Sequence, residues 1–251
     1  MVGSQLLLFA VIGGLLPALV WLWFFLREDS KHPEPKWLIV AAFLAGMFAV
    51  ILALPAEMIG KCMSSGIWPI KPLFNPFETI AFCRDLPQHV NPLFLWAAME
   101  ELLKYLVAVV FILWRKAVDE PIDAMIYLIT IALGFAALET GLFLMEPFGR
   151  GDITSGLLTG NLRFMGAALL HTLSSAVVGF FIAISFYKGY VTQFLSLCTG
   201  LVLAIILHAL FNHHIITGSK ITTIFVFLSV WLGIIGLLLL FERVKRITRT
   251  K

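Results

Sequence analysis

Residues 122–146 read IDAMIYLITIALGFAALETGLFLME, an apolar run that is interrupted deep inside by one glutamate, Glu139. A run of about 20 apolar residues is long enough to cross the hydrocarbon core of a bilayer as a helix. The whole chain of 251 residues is 60% hydrophobic and 13% charged, whereas soluble domains carry about 25% charged residues. The sequence therefore predicts an integral membrane protein.

Similar apolar runs fill most of the chain and predict an all-α, polytopic membrane helix bundle. We count about seven transmembrane helices, with eight as the alternative count, in a single membrane domain that covers residues 1–251. The one long connection, 60–91, is rich in proline and aromatic residues and predicts an extracytoplasmic cap loop, while the Gly/Ser/Thr-rich stretch 148–161 predicts a second outer loop. The predicted spans are roughly 5–26, 37–59, 92–114, 122–146, 161–187, 190–215 and 220–241.

The distribution of basic residues predicts the orientation, because cytoplasmic loops carry an excess of Lys and Arg. With the N-terminus outside and the C-terminus cytoplasmic, eleven of the 18 basic residues lie on the cytoplasmic side and six outside, and Lys104 lies within a helix. We expect a multi-pass protein of the cell membrane. No basic patch with interleaved aromatics indicates a nucleic-acid partner.

Two of the three cysteines, Cys62 and Cys83, fall in the 60–91 loop, which this orientation places outside. Disulfides persist in that compartment. A Cys62–Cys83 bridge and two separate thiols both remain open from spacing alone.

Five ionisable residues interrupt the apolar runs: Glu100, Glu101, Glu139, His171 and His208. A charge at such a position costs at least ~2.5–3.5 kcal/mol, and these residues by default face the bundle interior and mark a functional site. At about 1.5 Å per residue, all of them lie roughly 10–15 Å below the outer surface. Agreement in depth between inward- and outward-running helices predicts one site, open to the outer half of the membrane.

Local spacing suggests how these residues divide their roles. Lys104 lies four residues after Glu100 and three after Glu101, so it can pair with either. We predict Glu101 as the water-activating base and Glu100 as the partner of Lys104, with an exchange of the two left open. Asn212 follows His208 by one turn and should face the same centre. The alternative is a set of structural ion pairs and hydrogen-bonded interior histidines.

Two imidazoles and a carboxylate, with a further acid nearby, match a catalytic zinc site, in which three protein ligands leave one position for water. The tentative ligands of this divalent metal are Glu139, His171 and His208. The zincin signature H-E-x-x-H is absent, and so is the G-x-S-x-G of serine hydrolases. A metal-free mechanism also stays open, in which a glutamate activates water while His and Asn hold the oxyanion.

The polar residues and their neighbours resemble the PrsW family of intramembrane proteases, which is related to the CaaX prenyl endopeptidase and Abi group. The resemblance covers roughly residues 92–215, which we take as the catalytic core helices. The CaaX pattern has E-E-x-x-x-R and a histidine in place of Glu139, so this chain is more similar to PrsW. The matching motifs are E-E-x-x-K (Glu100, Glu101, Lys104), E-P-x-D (Glu120, Pro121, Asp123), G-F-A-A-L-E (134–139), His171 before TLSSAVVG, and H-A-L-F-N (208–212).

The resemblance implies that the paired glutamates Glu100 and Glu101 and the histidine His171 are tied to activity, with Glu139 and His208 as matching motif positions. PrsW-type proteins cleave membrane-anchored anti-sigma factors in bacteria. We therefore predict a bacterial or archaeal intramembrane endopeptidase that hydrolyses a membrane-anchored protein near the outer face. The alternatives are a proton- or ion-coupled transporter, which also places acids and histidines at mid-membrane depth, and a non-catalytic membrane scaffold.

Overall fold

Eight α-helices make up the part of the chain that the structure, a computed structural model, describes, namely residues 2–29, 33–64 and 93–247. The π turn Val109–Leu113 extends α3, and the π turn Arg163–Ala167 joins α5 to α6 in one helical run. No strand occurs in these ranges, so the predicted all-α class is confirmed. The helices are α1 Val2–Leu26, α2 Lys36–Ser64, α3 Leu93–Ala108, α4 Pro121–Gly149, α5 Ile153–Leu162, α6 Ala168–Ser185, α7 Tyr190–Thr217 and α8 Lys220–Val244.

Six helical runs are long and apolar enough to span a membrane: Leu7–Leu26, Lys36–Gly60, Pro121–Gly149, Ile153–Ser185, Tyr190–Thr217 and Lys220–Val244. The remaining predicted span, 92–114, coincides with α3 and its π turn. This segment is less apolar because it contains Glu100, Glu101 and Lys104, all of them buried. The chain is thus a multi-pass membrane protein, and the orientation of its termini stays a prediction.

The predicted cap loop can be assessed only at its start, because residues 65–92 lie outside the described ranges. Cys62, near the end of α2, is disulfide-bonded. Cys83 lies outside the described residues, so the Cys62–Cys83 pairing stays a prediction, as does the cap itself.

Helix α4 is the centre of the bundle. Every residue from 121 to 137 is buried, as expected for a helix that is apolar all round. Helices α1, α2 and α6 pack around it. Helices at the periphery instead expose large apolar side chains, such as Leu232 and Leu239 of α8, which suits a surface that faces lipid.

The crossing of α2 and α4 is set by two glycines. A Cβ atom added at Gly46 would lie 1.9 Å from the carbonyl oxygen of Ile131, and one added at Gly134 would lie 2.0 Å from that of Phe43. Small residues allow membrane helices to approach at backbone distance. This contact fixes the depth of α4, and with it the depth of Glu139, which lies just over one turn beyond Gly134.

The predicted outer loop at 148–161 is wrong over most of its length, because residues from Ile153 onward form α5. Asp152 caps this helix: its Oδ1 accepts a hydrogen bond from the Ser155 backbone N–H at 2.9 Å and its Oδ2 one from Ser155 Oγ at 2.6 Å. These bonds lower the pKa of the Asp152 carboxyl. The polar residues that suggested a loop include this N-cap, a position where Asp is favoured.

Candidate active site

Lys104 is completely buried and pairs with Glu101, its neighbour one turn earlier on α3. Its Nζ donates to Glu101 Oε1 at 2.6 Å. Of the two pairings that the sequence left open, the structure has Lys104–Glu101, and the preferred Lys104–Glu100 pair is wrong. Lys104 pairs with Glu101 rather than Glu100 because two further hydrogen-bond donors also bind Oε1 of Glu101 and hold that carboxylate in place.

Those partners come from two other helices. Ser174 Oγ of α6 donates to Glu101 Oε1 at 2.9 Å, and His208 of α7 places Nδ1 at 2.7 Å from the same oxygen. A carboxylate can only accept, so His208 carries its proton on Nδ1 and keeps the lone pair of Nε2. Glu101 therefore ties α3, α6 and α7 together and sets the tautomer of His208.

The hydrogen-bond partners of His171 set its tautomer in the same way. Lys104 Nζ lies 3.2 Å from His171 Nδ1, and Glu139 Oε2 lies 2.9 Å from His171 Nε2. An ammonium only donates and a carboxylate only accepts. Nε2 therefore carries the proton, and the lone pair of His171 lies on Nδ1.

Glu100 differs from Glu101 because, among the residues that the structure describes, its Oε2 has no hydrogen-bond partner. That buried oxygen lies 3.7 Å from His208 Nε2 and 4.0 Å from His171 Nδ1, the two nitrogens that carry the lone pairs. One ligand atom from each of these three residues falls within 4.8 Å of the others. The two rings stand edge to face, with centroids 4.9 Å apart.

The cluster differs from the predicted metal ligands by one carboxylate. Glu139 was expected beside His171 and His208, but Glu100 occupies that position. Glu139 Oε2 is instead engaged by His171 Nε2 and by an ion pair with Arg163. Sequence reasoning missed Arg163, which was placed among the outer basic residues, because a π turn that directs it inward has no recognisable sequence signal.

A cavity of about 450 Å³ reaches this cluster from one end of the bundle. It is lined at the ends of α2, α4 and α7 and at the starts of α3, α6 and α8. Asn212 is on its wall, as predicted from its position one turn after His208. Glu57, near the end of α2, also lines it. The polar lining residues are Glu57, Trp96, Glu100, Glu139, Arg163, His171, His208, Asn212 and Thr223.

The fold and the site together define a multi-pass membrane protein with carboxylates and histidines gathered at the inner end of a membrane-embedded cavity. A family model described as PrsW family intramembrane metalloprotease matches residues 34–239. The chain belongs to the PrsW family of intramembrane proteases, and the predicted enzyme class is confirmed. The relation to the CaaX group stays a prediction.

Individual relatives support the same assignment. Protease PrsW of Oceanobacillus iheyensis is 28% identical over 225 residues, which cover 89% of this chain and 91% of that protein. Protease PrsW of Geobacillus kaustophilus is 25% identical over 68% of this chain and 64% of its own length. Protease PrsW of Bacillus subtilis is 23% identical over 82% of each chain. No solved structure gives a significant match.

Proposed function

We propose that this protein hydrolyses a peptide bond of a membrane-anchored protein at the deep, buried end of the cavity, and that Glu100, His171 and His208 form the reacting centre. The observation that carries the proposal is Glu100 Oε2, which has no hydrogen-bond partner among residues 2–29, 33–64 and 93–247. A buried carboxylate oxygen without a partner is costly, and here it faces two imidazole lone pairs on the wall of a cavity.

The donor set fits a divalent metal, and zinc is the one we propose. Two neutral imidazoles and one carboxylate are a common three-ligand set for catalytic zinc. A bound zinc would supply a lowered pKa for water and polarisation of the scissile carbonyl. Glu139 and Glu101 each bond the other nitrogen of one histidine, which is the usual arrangement behind metal-ligating imidazoles.

The surrounding residues then have positioning roles. Glu101 holds His208 by Nδ1 and compensates the buried charge of Lys104. Glu139 holds His171 by Nε2. Asn212, whose side-chain amide can donate hydrogen bonds, lines the cavity one turn beyond His208 and could orient the substrate carbonyl.

A metal-free mechanism is the second candidate, and one contact favours it. Lys104 Nζ already uses the lone pair of His171 Nδ1 at 3.2 Å. In this version Glu100 Oε2 accepts the proton of an attacking water, and the side-chain amide of Asn212 donates to the oxyanion, because the N–H of His208 is already donated to Glu101. If a metal bound His171 Nδ1, Lys104 would have to give up its contact with that nitrogen and keep only its ion pair with Glu101.

The substrate we propose is a single-span membrane protein, such as a membrane-anchored anti-sigma factor of a bacterial cell membrane. The similarity to Protease PrsW of several bacteria supports this class. The mostly apolar walls of the cavity suit an unwound segment of a transmembrane helix. By the predicted orientation, cleavage occurs near the outer face.

The test uses the purified full-length protein with a single-span substrate in proteoliposomes. We expect cleavage by the wild type, loss of cleavage in Glu100→Gln, and wild-type cleavage in Glu146→Gln, which alters an exposed carboxylate. Elemental analysis decides the mechanism, because about one zinc per chain that falls in Glu100→Gln supports the metal site. Full cleavage by Glu100→Gln would overturn the proposal under either mechanism.

A further inference from the structure

Arg163 is joined to the site through Glu139. Its Nη2 forms an ion pair with Glu139 Oε2, and its Nε donates to Thr140 Oγ1 at 3.0 Å. The guanidinium carbon also lies 4.2 Å from the centroid of the Phe143 ring. Three residues of α4 therefore hold one side chain that is only 15% exposed. Among the described residues that line the cavity, Arg163 is the one Lys or Arg.

The π turn Arg163–Ala167 explains why this side chain faces inward. Arg163 precedes His171 by eight residues, and in an uninterrupted α-helix, at about 100° per residue, the two would be about 80° apart around the axis. A π turn absorbs one extra residue. Eight residues then turn the chain about as far as seven, so Arg163 and His171 face α4 within about 20° of each other. π turns of this kind are frequent at functional sites.

The acidic residues of the cavity explain why a cation at Arg163 matters for the position of Glu139. Glu57, Glu100 and Glu139 line one cavity, and a buried carboxylate is costly unless a cation or hydrogen bonds compensate its charge. Without the Arg163 guanidinium, the Glu139 carboxylate would lose its compensating cation, and rotation of its side chain away from the buried site would become favourable. Its contact with His171 Nε2 would then be lost, and the tautomer of His171 would be constrained only by Lys104 Nζ, at 3.2 Å from Nδ1.

We propose that Arg163 is a positioning residue: its ion pair with Glu139 holds that carboxylate against His171 Nε2 and so, together with Lys104 at Nδ1, keeps the His171 lone pair on Nδ1, facing Glu100. The effect on turnover rests on the proposed function, whereas the effect on the tautomer does not. Loss of an outer partner of a metal-ligating histidine costs on the order of 10–100-fold. We expect kcat of Arg163→Gln to fall by that factor, with KM changed less than about threefold.

The test compares Arg163→Gln and Arg163→Lys with the control Arg150→Gln, in which an exposed ion pair with Glu146 is removed. The readout independent of turnover is the ¹⁵N NMR spectrum of full-length, metal-free protein labelled at histidine, with His171 assigned from the spectrum of His171→Gln. We expect the Nε2–H tautomer in the wild type, in Arg150→Gln and in Arg163→Lys, and a mixture of tautomers in Arg163→Gln.

An unchanged His171 spectrum and kcat in Arg163→Gln would overturn the proposal and leave Arg163 as a tether between α4 and α5. Should Arg163→Gln fail to fold, the lysine variant decides: a wild-type tautomer supports the proposal and a mixture contradicts it. If the wild type cleaves no substrate, the proposed function fails, and the tautomer comparison still tests this inference.

Discussion

Lys104 Nζ contacts Glu101 Oε1 at 2.6 Å and His171 Nδ1 at 3.2 Å, so one ammonium group joins a carboxylate of its own helix to an imidazole of another. All three side chains are almost completely buried. A buried charge is tolerated only when it is paired and hydrogen-bonded. The cluster should therefore respond to substitution as a unit.

Replacing the ammonium should destabilise the whole bundle. Lys104→Met leaves the Glu101 carboxylate buried without its cation, and breaking such a pair costs about 3–5 kcal/mol. We expect a loss of that order in the free energy of unfolding, measured by denaturant titration in detergent micelles. Glu101→Gln with Lys104→Met should lose less than the sum of the single variants. Lys245→Met, at a part-exposed ion pair with Glu28, should lose at most about 1 kcal/mol.

Substitution of Glu100 should affect mainly turnover, whereas substitution of Glu101 should affect mainly thermal stability. Glu100→Gln should abolish turnover while the melting temperature stays within a few degrees of the wild type, because Oε2 makes no hydrogen bond among the described residues. Glu101→Gln should lower the melting temperature, because three donors lose an ionised acceptor. Turnover and thermal unfolding of the same preparations are the measurements. A stable but inactive Glu101→Gln beside an unstable Glu100→Gln would reverse the assignment.

Adding a single methyl group at the crossing of α2 and α4 should destabilise the protein. Gly134→Ala would place a Cβ 2.0 Å from the Phe43 carbonyl oxygen, and overpacking of this kind costs about 1–3 kcal/mol or more. Gly236→Ala is the matched control, since nothing lies within 4 Å of its added Cβ and alanine favours a helix by up to about 1 kcal/mol. Equal thermal stability of the two variants would contradict the close crossing.

The predicted orientation can be tested with cysteines at the two ends of α7. In a Cys198→Ala background, Ile216→Cys should react in intact cells with a membrane-impermeant thiol reagent, and Val191→Cys should react only after permeabilisation. Both positions are about equally exposed, at 65% and 69%, so access to the reagent is the difference that the comparison measures. The opposite pattern would place the cavity on the cytoplasmic side.

The sequence predicted which polar residues lie close together, because each of them breaks an apolar run. Glu101, Glu139, His171 and His208 are conspicuous for that reason, and their equal depth suggested that they would meet. Depth alone says nothing of rotation about the helix axis. Which acid pairs with Lys104, and whether Glu100 or Glu139 stands beside the histidines, depends on that rotation and on donors from other helices.

Arg163 and α5 show a second limit. Arg163 follows a Gly/Ser/Thr-rich segment that resembles a loop, so its charge looked like one more rim residue. In the structure the segment is helical from Ile153, and the π turn rotates the arginine towards α4. Neither the capping by Asp152 nor the extra residue of the π turn changes the hydrophobic pattern, which is the main signal for membrane helices.

The cavity also has a closed end. Among the described residues, its lining on these helices reaches no further than Glu100 on α3, Phe135 on α4, His171 on α6 and His208 on α7. Beyond that level, Lys104 and the α4 residues from 121 to 134 are buried against their neighbours. Water that enters the cavity therefore reaches closely packed side chains and has no continuous path to the opposite leaflet through the described residues. A cell can keep such a protease in an energised membrane without dissipating its electrochemical gradient.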